Sequence, residues 1–207
     1  QMCIRDSLGP GRCNQGVCLP DTLTKDFHPP DHVSFAPTHN AETFSERLVP
    51  HPYDASAPPL RQRMWPVHCV AGTRGAEILP SIEAALREAD AAGVPVRYLH
   101  KGKDARVDSY SAFASNQYTH FTELVPMLFR TERPIRNVIV CGLATDYCVC
   151  STAIDAAKLG FRTCVVRDAV QGVAEATSIE AVRTMESYGI RVLASHKDLL
   201  YYVQGME

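Results

Sequence analysis

A few side chains in this sequence could do chemistry at the positions they hold. Cys148 closes the stretch Gly142-Leu143-Ala144-Thr145-Asp146-Tyr147-Cys148, directly after an apolar run and where a helix is expected to begin. A helix start aims the positive end of the macrodipole and unpaired backbone N–H groups at a thiol, which favours a thiolate nucleophile and a place for an oxyanion. The competing reading of Cys148 is a small apolar residue packed at a helix start, because free cysteine is among the most buried residue types. Lys101 ends another apolar run and precedes Gly102, which allows a sharp turn. A lysine there can hold a thiolate or a developing negative charge, although a solvated lysine in the charged stretch 101–106 is the simpler reading of that residue alone. Asp26 and His28 flank one residue, so on a strand both point the same way and could share a metal. A metal needs at least a third ligand; His68, in WPVHCV (65–70), is the candidate, and His32, in PDHVSF (30–35), is a fourth. His39, His51, His100, His120 and His196 have no comparable context.

The elements that must position these groups are an alternation of strands and helices. Short β-branched runs at 94–99, 137–141 and 163–166, with 191–194 and the weaker 21–25, predict strands covered on both faces. Helical patterns over 82–92, 148–159 and 174–188 end at Gly93, Gly160 and Gly189, where a left-handed C-terminal residue is wanted. Helix, glycine, strand is the signature of βαβ units, so the fold class is α/β: three layers, α/β/α, around a mostly parallel sheet. Ligands of such sheets bind beyond the carboxyl ends of the strands. Asp26 with His28, Lys101, and the stretch ending at Cys148 all fall at those ends. Residues 29–66 hold Pro29, Pro30, Pro37, Pro50, Pro52, Pro58 and Pro59 ahead of Pro66, and read as a long surface excursion that walls a site.

Length and charge limit the remaining classes. A chain of 207 residues with 45% apolar residues is one soluble domain that needs no disulfide staples. A net charge of −2 without a basic stripe argues against nucleic acid, and no run approaches the ~18 apolar residues of a membrane span. Of the eight cysteines, Cys141 and Cys164 sit inside apolar runs, as reduced core thiols do, which points to an intracellular, cytoplasmic compartment. Cys150 reads as structural, since a Cys-x-Cys zinc site lacks further ligands nearby.

Five segments in order, TKDFHPPDHVSF (24–35), WPVHCV (65–70), HKGKDARVDSYSAF (100–113), VCGLATDYCVCSTAIDAAKLGF (140–161) and VVRDAV (165–170), resemble the nicotinamidase branch of the isochorismatase-like cysteine hydrolases. The likeness covers about residues 21–207. It implies a six-stranded parallel sheet flanked by helices and hydrolysis of the small molecule nicotinamide to nicotinate and ammonia through a thioester, in NAD salvage. Position by position, it implies Cys148 as nucleophile and Lys101 as the lysine of an Asp-Lys-Cys triad. It implies Asp26, His28 and His68 as ligands of a divalent metal, zinc in most relatives, with His32 as an extra candidate. A cis peptide at Leu143-Ala144 would open an oxyanion hole from the N–H groups of Ala144 and Cys148, and Trp65 and Tyr110 would wall the substrate ring. No nucleic acid or membrane partner is implied, and a homo-oligomer is left open.

The sequence departs from this pattern at its start. The family's general base is an Asp ending a first strand that reads like Asp-Met-Gln-Asn-Asp-Phe, and no such stretch is present. Residues 1–20 match no part of the family and show no strand period, so the expectation is a domain over 21–207 lacking its first, central strand, with residues 1 to about 11 foreign to the protein. Two other readings therefore stand beside the first: an inactive fragment or ligand-binding relative without the general base, and a hydrolase of another small amide.

Overall fold

The structure is a computed structural model that describes residues 2–5, 21–129 and 135–204. Its main body is a six-stranded sheet built from β1 (Met2–Arg5), β2 (Asp21–Asp26), β5 (Val96–Lys101), β6 (Asn137–Leu143), β7 (Arg162–Gln171) and β8 (Arg191–Leu193), in the order β5-β2-β1-β6-β7-β8. Pairs β2–β5, β6–β7 and β7–β8 are parallel. β1 lies between β2 and β6 and runs antiparallel to both.

That strand occupies the middle of the sheet, where a gap was expected, and runs against the other five, which share one direction, so the sheet is mostly parallel as expected. The physical reason is that β2 and β6 both present backbone N–H and C=O groups that must be paired, and four residues of backbone satisfy both edges. So short a segment carries no readable period in the sequence. The rest of the segment 1–20, including its expected boundary with the domain, lies outside the described residues.

The inner strands are apolar on both faces because two cores use alternate residues. Val138, Val140 and Val165 face a cluster with Val149, Ala153, Phe161 and Met185, which comes from α3 (Cys150–Lys158), α4 (Glu175–Ser187) and their flanks. Ile139, Cys164, Val166 and Leu193 face the opposite side, against Leu199 and Tyr202 of α5 (His196–Gln204). This period of two is what a strand buried between helical layers requires. α1 (Pro80–Ala91) packs on the edge strand β5, and α2 (Leu124–Phe129) adds Leu124 and Leu128 to the larger core. Gly93, Gly160 and Gly189 follow α1, α3 and α4 with φ of 86°, 89° and 75°, as their positions predict.

Two expectations need adjusting. The proline-rich excursion contains a small antiparallel sheet, β3 (Glu46–Val49) with β4 (Leu60–Arg63), closed over Ala36, Val49 and Met64. Its strands are four residues long, half of them charged, and carry no readable alternation. The helix expected over 148–159 begins with a π-helical turn, Thr145–Val149, before α3, because the N–H groups of Tyr147 and Val149 both reach the carbonyl of Ala144. Among the described residues, no helix is long and apolar enough to cross a membrane.

Candidate active site

The carboxyl ends of β2, β5 and β6 deliver three reactive side chains to one place. Parallel pairing of β2 with β5 sets Asp26 opposite Lys101. The buried Lys101 ammonium donates to Asp26 Oδ1, to the carbonyl of Ser109 at 2.8 Å and to Cys148 Sγ at 3.2 Å. Burial alone would push Lys101 down, but the Asp26 carboxylate and Cys148 outweigh it and the net shift is upward, so the side chain stays cationic. Burial would push Asp26 up; Lys101 and His28 reverse this and hold its carboxyl at about 2. For Cys148, desolvation raises the thiol pKa, Lys101 pulls against it, and the net shift stays upward. Among the described residues, Lys101 has one carboxylate partner, Asp26.

A second group forms beside the first. His28 follows β2 and pairs across an isolated parallel bridge with Val70, its N–H donating to the Cys69 carbonyl at 3.0 Å. Phe35 and Trp65 form a similar bridge, so segment 65–70 is laid along segment 28–35 and His68 arrives next to His28, ring centroids 5.0 Å apart. Ligand atoms of Asp26, His28 and His68 lie within 4.8 Å of one another; those of His28, His32 and Asp108 form a second such group. His28 Nδ1 is bonded to the Gly102 carbonyl at 2.9 Å and His68 Nδ1 to the Pro66 carbonyl at 2.8 Å. A carbonyl partner fixes the proton on Nδ1 and leaves Nε2 with its lone pair, as in metal-ligating histidines. Burial pushes His28 below its usual value and His32 down to about 4, so both rings are neutral. Nε2 of His32 is buried without a hydrogen-bond partner. Neutral imidazoles, one carboxylate and an orphaned ring nitrogen are a donor set that fits a divalent cation such as zinc.

Both groups line a cavity of about 210 Å³. Its walls are Trp65, Pro66, Tyr110, Leu143, Ala144, Tyr147 and Val173, with Asp26, His28, His68, Lys101 and Cys148 exposed to the same space. Trp65 Nε1 donates to the Tyr110 hydroxyl at 3.1 Å, and Trp65 meets the Tyr147 ring edge-on at 4.6 Å between centroids. The peptide between Leu143 and Ala144 is cis.

The isochorismatase domain family matches residues 33–197. A nicotinamidase of Acinetobacter baylyi is 34% identical over 189 residues, which cover 89% of this chain and 79% of that protein. The solved yeast nicotinamidase superposes with a TM-score of 0.75 at 27% identity, covering 83% of this chain and 78% of that one. A pyrazinamidase of Pyrococcus horikoshii, solved in complex with zinc, gives 0.58 at 28% identity, with 83% and 73% covered.

The chain belongs to the isochorismatase family. Among family members it is similar to amide hydrolases, and the cavity gathers eight of the residues singled out in the sequence: Cys148, Lys101, Ala144, Trp65, Tyr110, Asp26, His28 and His68. His32 lies one ring behind, 4.1 Å from His28 between centroids. Cys150 stands apart, its Sγ 3.8 Å from the Ala181 carbonyl, and no cysteine joins a metal-competent group among the described residues.

Three features were missed by sequence reasoning. Tyr147 walls the cavity beside Trp65, and its signal in the sequence is an aromatic ring in a turn at a strand end. Asp108 is buried beside His28 and His32 and lines the same cavity, and it accepts from Gln62 Nε2 at 3.0 Å. Gly102 does more than turn: with φ of 66°, it lies so close that a Cβ there would stand 2.3 Å from Cε1 of His28.

Proposed function

We propose that this chain hydrolyses nicotinamide to nicotinate and ammonia by acyl transfer through Cys148. The observation that carries the reading is the position of the Lys101 ammonium, bonded to both Asp26 and Cys148 at the floor of an aromatic-walled cavity. Nicotinamide is a flat ring with a carboxamide, and Trp65, Tyr110 and Tyr147 supply flat walls for it.

Lys101 hands a proton to Asp26 Oδ1 and takes up the thiol proton in its place, so that Asp26 is left protonated and the Cys148 thiolate faces the Lys101 ammonium. The thiolate attacks the carboxamide carbon, and charge on the carbonyl oxygen is taken up by the N–H groups of Ala144 and Cys148. Return of the proton to nitrogen expels ammonia and leaves a nicotinoyl thioester on Cys148; water then adds to the acyl carbon and releases nicotinate and the thiol. In this reading Asp26 is the carboxylate that works with Lys101. With Oδ1 on Lys101, its Oδ2 is left for a cation. Asp26, His28 and His68, with His32 behind them, would hold a divalent metal, zinc on the likeness to the archaeal pyrazinamidase, and when bound it would anchor the pyridine nitrogen and polarise ordered water.

The reading is tested by quenching the chain in acid during turnover of nicotinamide and mapping its peptides by mass. A nicotinoyl adduct on the peptide containing Cys148 is expected; an adduct on another residue, or turnover with no acyl-enzyme under any quench, contradicts it.

A further inference from the structure

We infer that Asp146 is a positioning residue for the Cys148 thiol, because its carboxylate clasps the turn that carries Cys148 to the amino end of α4. The inference rests on the proposed role of Cys148 as nucleophile. Asp146 lies two residues before Cys148 in the π-helical turn, and its carboxylate leaves that turn altogether. It accepts from the N–H of Val173 at 3.0 Å, the N–H of Ala174 at 3.2 Å and the hydroxyl of Thr177 at 2.5 Å.

These partners are the start of α4, whose own cap residue, Ala174, has no side chain able to cap it. A helix begins with orphan N–H groups that need an acceptor, and here the acceptor comes from a segment 27 positions upstream. Partial burial would raise the Asp146 pKa, yet the Thr177 hydroxyl and the two N–H groups outweigh it and keep the carboxyl below its usual value. The backbone is bare where the clasp closes: a Cβ on Gly172 would lie 1.8 Å from Ser178 Oγ and 3.2 Å from Asp146 Oδ1.

Three convergent bonds on one carboxylate fix the turn against the start of α4, the helix on which that turn also packs. The turn in turn sets the direction of Cys148 Sγ toward Lys101 and the position of the Cys148 N–H. Misplacing a nucleophile by about 1 Å costs on the order of a hundredfold in rate. A turn that was only packed would lose stability when the clasp is cut, and nothing more.

The test compares the full chain with its Asp146→Ala, Asp146→Asn and Thr177→Val variants. The readouts are kcat and KM for nicotinamide, the rate of Cys148 alkylation by iodoacetamide at one pH, and thermal unfolding. Folded Asp146→Ala should lose about tenfold or more in kcat with KM within about threefold, and its alkylation rate should change by a similar factor. Asp146→Asn, which keeps an acceptor oxygen, should recover part of both. Wild-type kcat and alkylation in folded Asp146→Ala would overturn the inference. Should that variant fail to fold, Thr177→Val, at an exposed site, decides it: an unchanged kcat and alkylation rate overturns the clasp, and a loss supports it. If the chain itself releases no ammonia, the alkylation rates still decide the role of Asp146, and the functional reading alone falls.

Discussion

Asp26 and Lys101 are register partners at the carboxyl ends of adjacent parallel strands, and their side chains form an ion pair whose third member is the Cys148 thiol. The pair is shielded from water, with 3% of the Lys101 side chain and 21% of the Asp26 side chain exposed. Removing one member of such a pair leaves a desolvated charge without compensation.

Asp26→Ala is therefore expected to destabilise the fold by about 3–5 kcal/mol, since breaking a buried pair from one side costs that much. Denaturant unfolding measures it. The double variant Asp26→Ala, Lys101→Met should be more stable than Asp26→Ala alone, because it removes the stranded ammonium as well.

Gly102→Ala should disturb His28, a proposed metal ligand, without touching it chemically. A Cβ at residue 102 enters the space of the His28 ring, and φ of 66° is strained for alanine. A loss of about 1–3 kcal/mol is expected. After removal of metal by a chelator, zinc added to the parent chain at about 100 times its Kd should restore some 2.7 kcal/mol. The same titration should raise the melting temperature of Gly102→Ala much less. Equal rises in the two proteins would show that His28 is not a ligand.

Much of this site was legible in the sequence because strand ends of an α/β sheet are known places. Lys101 and the stretch ending at Cys148 each follow an apolar run, Asp26 follows the weaker strand signal at 21–25, and parallel pairing brings such ends together. The partnership of Asp26 with Lys101 was not legible, since residues 75 positions apart become neighbours only through strand register. Met2–Arg5 was hidden for another reason: four residues gain strand structure from the unpaired edges beside them, not from their own pattern. The contacts of Gly102 and Asp146 are likewise tertiary, as is the approach of His68 to His28 across the bridge of His28 with Val70.

Acid should weaken the fold partly through Asp146. Its folded pKa is depressed, so the unfolded chain binds its proton more readily. The stability it contributes is complete above the ordinary Asp value of about 3.9 and is lost as pH falls through the lower folded value. Melting temperatures followed from pH 5 downward should fall more steeply for the parent chain than for Asp146→Asn, so that the two curves converge. Parallel curves would mean that the carboxylate contributes nothing to folding.

Hydrolysis of nicotinamide by Cys148, held by Lys101, is directly measurable. Ammonia release from nicotinamide by the purified, zinc-loaded chain, set against Cys148→Ala, tests it most directly. Release by the chain and none by the variant is expected; no release by the chain, or undiminished release by Cys148→Ala, would overturn the proposed function.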